Sequence, residues 1–244
     1  MKTTVVIAAN SEALHPWMRS IPEVFEHEGE VIYDKRNRIK VIRHEGVCYN
    51  VKRYRRPNLL NQWVYGHLRA TKAERAFRYG EQLTALGIQT PQPVGYILQQ
   101  EGLRLQYSYL ITRQVDLSRN FYEFGHGPLA GRESIVEAMV DFAAEMHEKG
   151  VLHLDFSPGN ILFDFCDEKV DFCIVDINRM RFGEVSVEEG CKSFARLWGK
   201  EDFFRLIAHR YAQARHADED ECLKMILKAR SRFWKGRHIS YEYE

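Results

Sequence analysis

The sequence has no excess of charge of either sign: 35 Lys and Arg stand against 34 Asp and Glu, a formal charge of +1. So weak a field excludes the whole-molecule attraction by which basic proteins gather nucleic acid, and no nucleic-acid partner is expected. Any hold on an anion must come from local clusters. Long apolar runs are missing too, and none approaches the roughly 20 residues needed to span a bilayer. The apolar stretch near the start, Val5 to Ala9, is shorter than the about 7–15 residues of a secretory signal. A cytoplasmic protein is therefore expected. The cysteines (Cys48, Cys166, Cys173, Cys191, Cys222) are odd in number, irregularly spaced and free of any CxxC pair. That excludes a disulfide scaffold or a zinc site and leaves buried, reduced thiols. No internal repeat and no Pro-rich or Gly/Ser linker divides the chain.

What remains is an ordinary soluble composition, 45% hydrophobic and 28% charged over 244 residues, enough for one large domain or two small lobes sharing a cleft. From about Glu30 to Tyr54 the pattern reads as short strands, VIYD, RIKVI and VCYNVKRY, separated by charged or Gly-containing turns. Helical spacing follows from about Thr71 to Leu86, with Gly87 just past its end. After the turn GIQTPQPVG come two further strands, VGYILQQ and LRLQYSYLIT. Beyond Gly127-Pro128, Ile135, Met139, Phe142, Ala143 and Met146 recur at helical spacing, which predicts a helix from about Glu133 to Lys149. Two small strands, ILFDF and FCIVDI, precede further helices from about Glu188 onward. The expected fold is α+β, with a strand-rich N-lobe at about 30–115 and a helical C-lobe at about 116–244. Residues 1–29 form an extension to which the pattern assigns no role.

The strongest chemical signal is the loop His153-Leu154-Asp155-Phe156-Ser157-Pro158-Gly159-Asn160, between the long helix and the strand ILFDF. In phosphoryl transfer such a loop supplies an Asp that takes or orients the acceptor hydroxyl proton. Five residues later it supplies an Asn that coordinates magnesium. Pro158 and Gly159 let the chain turn between the two. Asp176 ends the apolar strand Phe172-Cys173-Ile174-Val175. A carboxylate at the mouth of a buried strand is costly unless paired or bound to a cation, and hard oxygen donors suit magnesium. Taken alone, Asp176 also reads as a simple turn cap. Its order behind His153, Asp155 and Asn160 favours the metal-binding reading.

Lys52, on the third strand of the N-lobe, stands where a kinase places the lysine that contacts the ATP phosphates, although a strand lysine is more often a solvated edge residue. Arg53, Arg55 and Arg56 follow as a basic surface for an anionic acceptor. The carboxylate partner of Lys52 is expected on the next helix, either Glu74 or Glu81, which share a face. Thr71-Lys72-Ala73-Glu74 also reads as a capping box, in which Glu74 merely closes the helix start. The stretch Asp34-Lys35-Arg36-Asn37-Arg38, where a phosphate loop belongs, contains no glycine; the side chains of Lys35, Arg36 and Arg38 could meet phosphate directly, but a charged hairpin tip is the more ordinary reading. Backbone groups of Thr112 to Val115 are the expected contacts of adenine.

With these pieces in order, the chain resembles the lipopolysaccharide core kinases, the Kdo and heptose kinases of the protein-kinase-like superfamily. The likeness runs from about Glu30 to Gly183. It rests on Val51-Lys52-Arg53-Tyr54, the GIQTPQP turn, the HLDFSPGN loop and Val175-Asp176-Ile177-Asn178-Arg179-Met180-Arg181-Phe182. That last run is similar to the family's short metal-binding segment, Asp-x-Asp/Asn-Arg. No APE-like motif follows, which argues against a protein acceptor.

The resemblance implies a two-lobed kinase fold with Asp155 as catalytic base, Asn160 and Asp176 as magnesium ligands, and Lys52 as the phosphate lysine. It implies ATP and Mg2+ as cofactors and a sugar hydroxyl of Kdo–lipid A or core heptose as acceptor, at the cytoplasmic face of the inner membrane. The chain departs from the pattern twice, in the glycine-free phosphate loop and in Arg78, which stands where the helix carboxylate is expected. The C-terminal stretch from Lys224 to His238, basic with Phe233 and Trp234, reads either as a membrane-surface helix or as a helix packed on the C-lobe with a solvated basic face. Two other functions compete: a superfamily kinase acting on a soluble aminoglycoside-like or choline-like alcohol, and a pseudokinase scaffold.

Overall fold

Alternation in the sequence becomes strand pairing along the first half of the chain. The structure, a computed structural model, describes residues 1–58, 62, 64–65, 69–166 and 169–237. It separates into two compact units, Met1–Asp116 and Leu117–Glu244.

The first unit is a six-stranded antiparallel sheet. Its strands are β1 (Lys2–Ile7), β2 (Glu30–Asp34), β3 (Arg38–His44), β4 (Val47–Tyr54), β5 (Pro93–Glu101) and β6 (Arg104–Arg113), in the order β1-β5-β6-β4-β3-β2. Helix α1 (His15–Val24) covers one face, where Met18, Ile21 and Phe25 pack with Ile42, Tyr49, Val51, Ile97, Tyr109 and Ile111. Burying one such side chain contributes about 1.5–3 kcal/mol. The residues before Glu30 therefore complete the core, β1 by pairing with β5 and α1 by covering it. Gly95 permits this close approach, because a Cβ there would stand 2.4 Å from the Val6 carbonyl and 2.7 Å from Met18 Cε. Buried Lys40 donates to the carbonyls of Glu26 and Glu28, the chain just past α1, where orphan carbonyls favour a cation.

Helix α2 (Lys72–Ala85) lies on the opposite face, with Phe77 against Tyr96. Thr71 Oγ1 accepts from the Glu74 N–H, so the expected N-cap forms.

The second unit carries helix α3 (Glu133–Glu148), a two-stranded pair β8 (Val151–His153) with β11 (Met180–Phe182), and a three-stranded sheet. That sheet joins β7 (Arg119–Asn120), β9 (Ile161–Cys166) and β10 (Lys169–Ile174) in the order β10-β9-β7. Helices α4 (Val187–Ser193), α5 (Glu201–Ala214) and α6 (Glu219–Trp234) follow. Arg210 of α5 grips Asp141 of α3 through two bonds of 2.7 Å, a bidentate pair that fixes the two helices. The buried His147 Nδ1 shares a hydrogen bond with the Tyr211 hydroxyl at 2.9 Å, and Arg215 donates to the same oxygen at 3.0 Å. Cys173 is buried and free, and burial pushes its thiol up to about 12.

Helix α6 packs by its apolar side, with Cys222 and Ile226 buried. Its aromatics are engaged within the unit: Trp234 Nε1 donates to the Ala195 carbonyl, and the Arg196 guanidinium lies over the Phe233 ring. Lys224, Lys228 and Arg232 remain exposed. Of the two expectations for this stretch, packing with a solvated basic face describes it up to Arg237, and His238 lies outside the described residues.

Candidate active site

The loop after β8 is built around His153. This fully buried ring accepts from the Asp155 N–H at Nδ1, 3.0 Å away, so its proton sits on Nε2 and is donated to the Val175 carbonyl at 3.1 Å. Burial pushes the His153 imidazole well below its usual range and keeps it neutral. One ring thus ties the backbone of Asp155 to the residue just before Asp176.

Asn160 makes the second tie. Its side-chain amide nitrogen donates to the Asp155 carbonyl at 2.9 Å and to Ser157 Oγ at 3.1 Å, while its backbone carbonyl accepts from the Val175 N–H at 3.0 Å. Asp155, Asn160 and Asp176, read from the sequence as one set, are thus brought together by bonds converging on Val175. With both amide hydrogens engaged, Asn160 has its Oδ1 left for a cation. Asp176 adopts a left-handed backbone with φ of 56°, at a cost of about 1–2 kcal/mol for a residue with a side chain. Buried Asn178 donates to Asp176 Oδ1 at 2.6 Å and helps hold this turn. The donors fit magnesium, being hard oxygens at fixed positions on rigid backbone.

Two arginines hold the Asp155 carboxylate. Arg196, in the 3-10 turn Phe194–Arg196, donates to Oδ1 at 2.7 Å, and Arg179 Nη1 stands 3.5 Å from Oδ2. Arg179 and Asn178 lie in the run singled out from the sequence. Arg196 carries no sequence signal: it is a lone arginine on a distant turn.

In the first unit, cross-strand register places Lys52 beside Leu110, and Leu110 beside Tyr96. Lys52 therefore belongs to the sheet face that α2 covers, with its ammonium 5.1 Å from the Tyr54 ring. Glu74 is mostly buried near the same face, and burial, followed by the Glu74 charge, pushes the Tyr96 hydroxyl up. Glu81 is exposed. The Glu74 carboxylate pairs with Arg78 at 2.6 Å, so the arginine standing in the expected acidic position is neutralised one turn away. Of the stretch expected to meet adenine, the Arg113 and Gln114 N–H groups are bonded to the carbonyls of Gln92 and Cys48.

Residues 27–221 match the family model described as "Lipopolysaccharide kinase (Kdo/WaaP) family". Among solved structures, the chain is similar to "WaaP in complex with acyl carrier protein", with a TM-score of 0.64 and 16% identity. That match covers 97% of this chain and 100% of the other. It is similar also to the microcompartment-associated aminopropanol kinase, with a TM-score of 0.53, 11% identity and coverage of 92% and 91%. At such identities these likenesses show the kinase fold alone. No curated protein matches by sequence.

Proposed function

The chain belongs to the lipopolysaccharide kinase (Kdo/WaaP) family, and from that membership we propose that it phosphorylates a sugar hydroxyl of Kdo or heptose carried on lipid A. The family makes it a phosphotransferase that uses ATP. The observation that carries the assignment of residues is the double tie to Val175, through His153 and Asn160, which fixes Asp155, Asn160 and Asp176 as one constellation.

In this reading the Asp155 carboxylate takes the proton of the acceptor hydroxyl. The acceptor oxygen then forms its bond to the γ-phosphorus as the bond from that phosphorus to the β,γ-bridging oxygen breaks, and ADP leaves. Asn160 and Asp176 hold magnesium, which when bound neutralises charge on the ATP phosphates. Lys52 is the cation assigned to those phosphates, and Glu74, mostly buried where Glu81 is exposed, is the carboxylate assigned to orient it. The protein works at the cytoplasmic face of the inner membrane, where such an acceptor is presented.

The test is transfer of labelled γ-phosphate from Mg-ATP to purified Kdo–lipid A, with Asp155→Ala beside it. Labelled lipid from the unaltered protein alone supports both the role of Asp155 and the acceptor class. Transfer to soluble amino alcohols instead overturns the lipid-borne acceptor. Mg-ATP binding without transfer to either fits a scaffold and overturns the catalytic reading.

A further inference from the structure

Strand β2 is an edge of its sheet, and its three central residues face water: Val31 is 47% exposed, Ile32 48% and Tyr33 41%. Exposed large apolar side chains elsewhere among the described residues do not fall in a run of three. A bulge causes it. Pairing with β3 jumps from Val31–Lys40 to Tyr33–Ile39, leaving Ile32 as the extra residue and sending its neighbours to opposite faces. An edge of this kind is ordinarily blunted with charge or proline, and here it is apolar.

Directly after this triplet the chain enters a basic pocket of about 250 Å³. Its walls carry Lys35, Arg36, Arg38, Arg53, Arg55 and Arg56 against Asp34 alone. Part of that charge is spent internally. Arg38 pairs with Asp34 at 2.6 Å and with Glu26 at 2.9 Å, Arg53 pairs with Glu26, and these partners hold the Glu26 carboxyl below its usual range. Lys35, Arg36, Arg55 and Arg56 are all exposed. Arg38, Arg53 and Tyr107 share the sheet face covered by α1, the face opposite Lys52. Strand alternation thus turns Arg38, Arg53 and Tyr107 away from Lys52, while Tyr54, the ring beside the Lys52 ammonium, also lines the pocket.

We infer that the β2–β3 hairpin docks the protein on an anionic lipid surface, with the lipid phosphates in the basic pocket and Val31, Ile32 and Tyr33 in the headgroup–acyl boundary. Charge complementarity selects the partner's sign, and the adjoining apolar triplet selects a lipid over a soluble anion. A cation at such a surface is worth about five-fold in affinity. The inference goes beyond phosphotransfer, and its test needs neither ATP nor acceptor, so either reading can fail alone.

The experiment is co-sedimentation with vesicles of phosphatidylcholine alone, or with about one third phosphatidylglycerol, for the full chain and two variants. Arg55→Glu/Arg56→Glu should weaken binding to anionic vesicles by about thirty-fold or more. Ile32→Asp should weaken it several-fold while leaving its salt dependence in place, and both variants should keep the unaltered melting profile because these side chains are exposed. Equal binding to neutral and anionic vesicles overturns the inference, as does binding that Ile32→Asp leaves unchanged. Displacement by a few millimolar inorganic phosphate would show a small-anion site instead. A dimer broken by Ile32→Asp would show that the edge pairs with a second copy.

Discussion

Arg196 donates from Nη1 to Oδ1 of Asp155 at 2.7 Å, joining residues 41 apart in the chain. The guanidinium fixes one carboxylate oxygen and so sets where the other points. This makes Arg196 a positioning residue for the proposed base. Arg196→Ala should lower the turnover number about ten- to a hundred-fold with little change in KM for the acceptor, since an ångström of misplacement costs that much. Arg196→Lys should recover part of the loss. Equal loss of KM and turnover in both variants would point to acceptor binding instead.

His153 holds the loop by two bonds that no solvent can replace. His153→Ala should destabilise the protein by about 3 kcal/mol or more, because it opens a cavity and orphans the Asp155 N–H and the Val175 carbonyl. His153→Gln, which keeps a donor for Val175, should recover part of this. Denaturant unfolding of both variants decides the matter, and equal stability of Ala and Gln would remove Val175 from the account.

Gly190 sits where helix α4 meets the Tyr211 hydroxyl. A Cβ there would fall 1.8 Å from that oxygen and 2.9 Å from His147 Nδ1. Tyr211 is fully buried and cannot swing away. Gly190→Ala should therefore cost about 1–3 kcal/mol, read as a lower unfolding midpoint, and adding Tyr211→Phe should return part of it.

Stability should fall with acid in a window set by His147. Burial pushes this histidine from 6.5 down to about 3. Its folded pKa lies below its unfolded one, so the unfolded state binds the proton first. The contribution is complete above about pH 6.5 and is lost as pH falls toward 3, by about 1.4 kcal/mol per unit. His153 acts in the same direction. His147→Phe should flatten the melting temperature between pH 7 and 5 relative to the unaltered protein. An unchanged slope would assign the acid sensitivity elsewhere.

The fold was most readable where local rules act alone. Alternation in VCYNVKRY, the cap at Thr71 and the periodicity after Glu133 each produced the expected element. The HLDFSPGN loop was legible because its chemistry is written in consecutive residues. Helix α1 and strand β1 were not, since α1 carries prolines at 16 and 22 and the strand that pairs with β1 lies about ninety residues further on. Arg196 was hidden for the same reason: only tertiary packing brings it to Asp155. The capping box formed by half, because the Glu74 carboxylate found Arg78 rather than the helix start.

Strand β1 also has a bearing on how the chain is made. Its partners run from Lys2 with Gln100 to Ile7 with Gly95. A ribosome releases β1 long before β5 exists, at about 5–20 residues per second. For several seconds the apolar side of α1 has no completed sheet to rest on. The nascent first unit cannot close until its last strands emerge, and during that interval its opening segment is the part in need of a chaperone.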